Sequence, residues 1–434
     1  MQLEDTAALK SAAPAAGARE LPATLPIIAY FSMLALASGL GSPGTGIAAL
    51  PISYYLKDVL HLTPLELATF GAVAAGPAYV AFLFGFLRDR WRPRQLGDRA
   101  YLLWGALGAA ASYLCLGTIH IDYRALLGLV LLAGISYLVI GAGGNAMATG
   151  VAQGNAMSGR LSVVALVGSF VPATIAAVAG GWLVASVSPA IAFVSAAGVT
   201  LLIAAQAFWK LDAVTAFEVT EEHPRDRRGL EGIARLIRHR PIWPATAIFF
   251  LWNFSPGWQT PMFYHLTQTV KISAEAYGYF VALQAICYLP TTLLYAPMCK
   301  RFTLRTLLLV STLSGVVQGV AMLGVRSETS ALVAGALAGL LGGFPTAAYI
   351  DLIIRSCPKG LEGTGITLAT STAIAVSVNS GNLFGSWVYA HGGFNSAIVV
   401  SILATVAILP ILPLVPRNVT ESREGELLDE SALL

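Results

Sequence analysis

The charges of this chain are confined to short runs, and between them lie apolar stretches of about 18 to 30 residues that recur from Leu25 to Pro416. A bilayer core ~30 Å thick is crossed by ~20 residues of helix, at a rise of 1.5 Å per residue. Each stretch is long enough to span, so the chain is built to fold with lipid as its solvent. Hydrophobic residues make up 56% of the sequence and charged ones only 11%, with a mean hydropathy of +0.71. That leaves too little polar surface to keep a globule of this length in water, which excludes a soluble enzyme. A net charge of +3 is small, and no basic patch for nucleic acid is implied.

Twelve apolar segments can be drawn, at about 25–57, 66–87, 100–119, 125–149, 159–185, 189–209, 242–268, 276–297, 304–325, 330–354, 363–389 and 393–415. An even number places both termini on one side. With the termini inside, only Lys57, Arg124, Lys271 and Arg326 among the basic residues fall outside, a bias that predicts cytoplasmic ends. The expected organisation is an N-terminal tail (1–24), a six-helix bundle (25–210), a cytoplasmic linker (211–241), a second six-helix bundle (242–416) and a C-terminal tail (417–434). The tail ahead of Leu25 lacks the basic start and cleavage box of a secretory signal. In the linker, Leu230, Ile233, Leu236 and Ile237 recur with arginines between them, which suits a helix on an anionic leaflet or a solvated linker helix alike. The halves echo one another: Pro77 precedes the basic turn at Arg88-Asp89-Arg90, and Pro290 precedes Cys299-Lys300-Arg301.

Cys115, Cys287, Cys299 and Cys357 form no C-x-x-C pair and have no His at metal spacing, so they read as small packing residues and no cofactor is expected. No G-x-S-x-G, H-E-x-x-H or P-loop is present, and His120 and Asp122 lack a plausible third partner. An intramembrane enzyme and ATP-driven transport by this chain alone are thereby disfavoured.

Gly85-Phe-Leu-Arg-Asp89-Arg90, followed by Arg92 and Arg94, resembles the G-x-x-x-D-R loop of the major facilitator superfamily. That resemblance implies a glycine permitting close helix approach and a charge-assisted lock carried by Asp89 and Arg90. Four stretches resemble more narrowly the folate-biopterin transporter family of that superfamily. They are Gly46 to Asp58 running on to Pro64, Gly85 to Tyr101, Phe249 to Gly278 with its Met-Phe-Tyr exit, and Cys357-Pro-Lys-Gly-Leu-Glu-Gly-Thr364. The resemblance implies an all-α fold of twelve transmembrane helices in two bundles, and secondary transport of a pterin- or folate-like solute by alternating access. Two departures stand out. Asn145, Thr149 and Gln153 replace acids often found after helix 4, and Gly97-Asp98-Arg99-Ala100-Tyr101 replaces a denser run of arginines.

Such a transporter binds its solute near mid-membrane, where helices are interrupted. The first segment is interrupted by Ser38 to Gly44, and the seventh carries Asn253, Ser255, Pro256, Trp258 and Gln259. In the eleventh, Thr372, Ala375, Asn379, Asn382 and Ser386 recur at three and four residues and share one face. Amides buried in lipid are costly, so Asn253, Gln259, Asn379 and Asn382 must face protein or a cavity. With Trp258 they form the candidate substrate site, which suits a planar heterocycle. Interhelical packing, as at Gly381-x-x-x-Gly385, is the competing reading. No Lys or Arg falls at mid-depth, which favours a neutral solute over an anionic one. Asp351 and Arg355 form the one acid-base pair within a span. They read as a gate or protonation switch, with protons as the coupling partner, or as a static pair securing a helix end. The expectation is a monomeric multi-pass protein of the cell membrane, taken as a bacterial inner membrane. An exporter of another planar or amphipathic solute and an assembly factor for pigment-protein complexes are the alternatives.

Overall fold

The computed structural model describes residues 24–90, 97–118, 122–154, 158–209, 242–356 and 374–421. Residues 1–23 and 422–434, the linker 211–241, Arg92, Arg94, His120, Thr372 and the segment Cys357–Thr364 lie outside them. All regular structure among the described residues is helical, and it follows the apolar segments. The first segment is α1 (Thr24–Gly41) and α2 (Ala49–Tyr54), the latter running into a π turn at Tyr55–Val59. The second is split into α3 (Pro64–Ala74), α4 (Gly76–Tyr79) and α5 (Ala81–Arg90). Four helices follow: α6 (Arg99–Thr118), α7 (Tyr123–Gly154), α8 (Ser158–Ser186) and α9 (Pro189–Gln206). The second half opens with α10 (Ile242–Asn253) and α11 (Thr260–Tyr264), which runs into a π turn at His265–Val270. It continues with α12 (Ala274–Met298), α13 (Leu304–Met322), α14 (Glu328–Ser356) and α15 (Ile374–Val406). Gly393, at φ 74° and ψ −177°, is non-helical and divides α15 into two helices, a conformation open to glycine. Among the described residues, eight helices are long and apolar enough to cross a membrane. The segments that fall short are those broken into pieces, α1, α3 and α10.

Burial runs in the sense that lipid imposes. On α13 the polar and small residues Ser311, Thr312, Gly315, Gln318 and Gly319 are buried, while Leu313, Val317 and Val320 on the other face are exposed. Polar groups turn inward because only there can they find partners, and apolar ones lose nothing by facing acyl chains.

The two halves repeat in detail. His61 and Lys271 both adopt positive φ, at 53° and 61°. The next residues close the same bond, Leu62 N–H to the Leu56 carbonyl at 3.0 Å and Ile272 N–H to Leu266 at 3.1 Å. Thr63 and Ser273 then each cap a helix with the side-chain oxygen. Pro51 and Pro261 are separated by the same interval along the chain. A non-glycine residue at positive φ is costly, so its retention at equivalent places marks a duplicated unit more firmly than the prolines do. Pro77 does break its segment, and the Tyr79 hydroxyl donates to the Ala72 carbonyl at 2.9 Å across the gap. Pro290 and Pro297, in contrast, lie inside an unbroken α12.

The halves meet along α8 against α12 and along α3 against α15. A Cβ on Gly181 would lie 3.1 Å from Gly278 Cα and 2.8 Å from the Ala274 carbonyl, so both positions must be glycine for the backbones to touch. At the same end the Tyr54 ring meets Phe263 edge-on at 5.1 Å, and the Tyr264 hydroxyl donates to the Leu62 carbonyl. The Lys57 ammonium sits 5.0 Å above the Tyr54 ring. This is the end that the Lys and Arg distribution places outside.

Candidate functional site

Where α10 stops at Asn253, the chain runs irregularly through Phe254–Gln259 before α11 begins. A broken helix leaves N–H and C=O groups without intrahelical partners, which lipid cannot satisfy. Neighbouring helices satisfy them here. The Gly257 N–H donates to Ser401 Oγ at 2.8 Å, and the Thr260 N–H donates to Asn382 Oδ1 at 3.0 Å. Ser377 Oγ donates to the Phe250 carbonyl at 2.5 Å. The fit is close, since a Cβ on Gly385 would lie 1.7 Å from the Pro256 carbonyl oxygen. Gly385→Ala should therefore cost about 1 to 3 kcal/mol by overpacking. A lower melting temperature in detergent would report it, while Gly71→Ala, where an added Cβ meets nothing within 4 Å, should leave the melting temperature unchanged.

The break opens a cavity of about 310 Å³, at the small end of ligand sites, which limits it to a small solute. Trp252, Asn253, Ser255, Trp258 and Gln259 form the wall on the broken segment. Gln284 and Tyr288 of α12 face them, and Gly315, Gln318 and Gly319 of α13 form the back. The part of α15 beyond Gly393 contributes Ser401, Ile402 and Thr405. None of the described lining residues is charged.

The Trp252 indole is fixed. Its Nε1–H donates to Thr346 Oγ1 at 3.3 Å, and its ring lies 5.2 Å from that of Tyr349. Asn253 Nδ2 donates to the Phe249 carbonyl at 2.8 Å and so keeps Oδ1 as an acceptor. Of the five residues read from the sequence as a substrate site, Asn253, Trp258 and Gln259 line this cavity. Asn379 and Asn382 are not among its lining residues. Asn379 Nδ2 donates to the Ala375 carbonyl of its own helix at 2.7 Å, and Asn382 is buried against the start of α11. Gln284 and Gln318 were not singled out in the sequence. A signal was present on α13, where Ser311, Gly315, Gln318 and Gly319 recur at helical spacing in an apolar run.

Two charge clusters lie apart from the cavity. Arg88 donates to Asp98 through Nε at 2.7 Å and Nη2 at 2.5 Å, and their side chains are 4% and 6% exposed. This fork ties α5 to the start of α6. The side chains of Asp89 and Arg90, expected to form the lock, lie outside the described residues. The expected close approach at Gly85 is absent among the described residues, since a Cβ there would meet nothing within 4 Å. In the other half, Asp351 accepts from Arg355 Nε at 2.9 Å and from the Tyr295 hydroxyl at 2.5 Å. The pair is thus not confined to one helix, because Tyr295 joins it to α12. Asp122, just before α7, accepts from the Ala125 N–H at 2.7 Å and caps that helix.

The sequence model of the BT1 family matches residues 43–430. A folate-biopterin transporter of Synechocystis sp. is 24% identical over 392 residues, covering 86% of this chain and 78% of that protein. Among solved structures, the nucleoside transporter NupG superposes with a TM-score of 0.65 at 11% identity, over 90% of this chain and 97% of that one. A D-xylose-proton symporter does so with a TM-score of 0.62 at 13% identity, over 89% and 97%. A peptide transporter POT in complex with alafosfalin gives 0.66 at 13% identity, over 92% and 96%. At these identities the structures speak for the fold, which is that of major facilitator transporters.

Proposed function

We propose, from the premise that this chain belongs to the BT1 family and is a membrane transporter of the major facilitator type rather than an enzyme, that it moves a small pterin- or folate-like solute by alternating access. The observation that carries this reading is the charge-free cavity at the broken helix, with amides and indoles on its wall. Amide edges pair with the donors and acceptors of a heterocycle, and indole faces stack on its plane. The name of the Synechocystis relative points to the same solute class.

Asn253, Trp258 and Gln259 contact the solute in this reading, while Asn382 holds the broken helix in shape and Asn379 faces the solute path. Asp89 and Arg90 serve the basic loop as a gate, and Asp351 with Arg355 couples transport to protons. Uptake of labelled biopterin, folate and an unrelated neutral solute into proteoliposomes, with and without a pH gradient, tests the whole. Saturable pteridine uptake supports transport, and its absence removes it. Alanine at Asn253 or Gln259 should weaken apparent affinity by roughly five- to a hundredfold, the worth of leaving one hydrogen-bonding group unpaired.

The Lys and Arg asymmetry supports termini and linker in the cytoplasm; two six-helix halves, 25–210 and 242–416, and a monomer in the bacterial inner membrane complete the proposed arrangement. In a background without native cysteines, Thr220→Cys should resist an impermeant maleimide in intact cells and react once they are opened. Reaction in intact cells would invert the topology.

A further inference from the structure

We propose that Gln284 and Gln318 determine specificity, by reading one edge of an uncharged planar ring that lies in the cavity against Trp252. This rests on the transport reading and names residues that neither the resemblance nor the sequence pattern supplied.

Gln318 is 8% exposed, and its Nε2 donates to the Ala338 carbonyl at 2.9 Å. A carbonyl partner accepts only the NH₂ end, so the amide cannot flip, and Oε1 is left as an oriented acceptor on the cavity wall. Gln284, on the facing helix, lines the same space, and among the described residues its side chain has no hydrogen-bond partner. It can therefore offer both a donor and an acceptor. A fixed acceptor opposite an adaptable amide distinguishes a ring edge carrying an N–H from one that does not. Gly315 supplies the room: a Cβ there would lie 2.7 Å from Trp252 Cζ3 and 3.0 Å from Thr405 Cγ2. Since Thr346 holds the indole from its other side, the ring could yield only by moving. The absence of charge from the lining then sets the class of ligand. An anionic analogue of equal size would shed its water for a wall with no cation to replace it.

The test uses the full-length protein in proteoliposomes with two probes of similar size, neutral biopterin and anionic pterin-6-carboxylate. Wild type should take up biopterin with at least about tenfold higher kcat/KM. Gln284→Leu should raise the KM for biopterin about ten- to a hundredfold, with kcat little changed and melting temperature retained, because its amide supports nothing else in the fold. Gln318→Leu should raise the KM in the same way but lower the melting temperature as well, because the Ala338 carbonyl loses its donor, and Gln318→Met, closer to glutamine in shape, removes the acceptor while keeping the packing. An unchanged KM in folded Gln284→Leu, or equal uptake of both probes by wild type, overturns the proposal. Should wild type transport neither probe, the transport reading fails and binding decides the rest. Biopterin or guanosine raising the melting temperature of wild type and not of Gln284→Leu upholds the amide reader, and no shift with either ligand overturns it.

Discussion

Asp98→Ala is expected to destabilise the protein by about 3 to 5 kcal/mol, a large share of the ~5 to 15 kcal/mol that holds a typical fold together. The reason is the geometry of the fork: Arg88 is 3% exposed and gives two N–H donors to one carboxylate. Removing the acid deprives a buried guanidinium of the carboxylate that accepts two of its N–H groups. The double variant Arg88→Met/Asp98→Leu removes the charge together with its partner and should recover much of the loss. Melting temperatures of the purified proteins in detergent decide the matter. A single variant as stable as wild type would show that the fork contributes little, and a double variant no better than the single would show that shape rather than charge is at stake.

The second large effect is expected at Asp351. Its carboxylate receives the Tyr295 hydroxyl and both Arg355 contacts, so protonation would cancel the attraction to Arg355 while a hydroxyl bond to α12 could remain. One proton thereby changes how firmly α12 and α14 are joined. Asp351→Asn keeps the shape and one of the two acceptor oxygens but cannot exchange a proton. Accumulation of solute driven by a pH gradient should fall to the equilibrium level, while exchange of labelled for unlabelled solute continues. Full gradient-driven accumulation in this variant would place coupling elsewhere. Tyr295→Phe removes a single hydrogen bond and should have a milder effect of the same kind.

The order of helices was legible in the sequence because lipid imposes a simple rule, and the runs between charges follow the helices within a few residues. The break after Asn253 was legible too, from Pro256 and Gly257 within an apolar run. The Arg88–Asp98 fork was not. Asp89 stands beside the arginines, while the partner of Arg88 lies ten residues further along the sequence. Tyr295 was equally hidden, being 56 residues from the acid it meets. Asn382 shows why residue type alone misleads: an amide on the right helical face can spend its acceptor on a backbone N–H of the neighbouring segment. The rear wall of the cavity needed α13 and the end of α15 to come together, and no local pattern records that meeting.

The described residues that wall the cavity all belong to one half of the molecule, between Trp252 and Thr405. A solute held there would be a passenger of that half, keeping the same neighbours while the other half rocks against it. Its binding energy would then be nearly equal with the cavity facing either side. A ligand that binds two states equally cannot bias the choice between them. The solute by itself would thus equilibrate without being concentrated, and the energy to pump it would have to enter through groups whose surroundings do change.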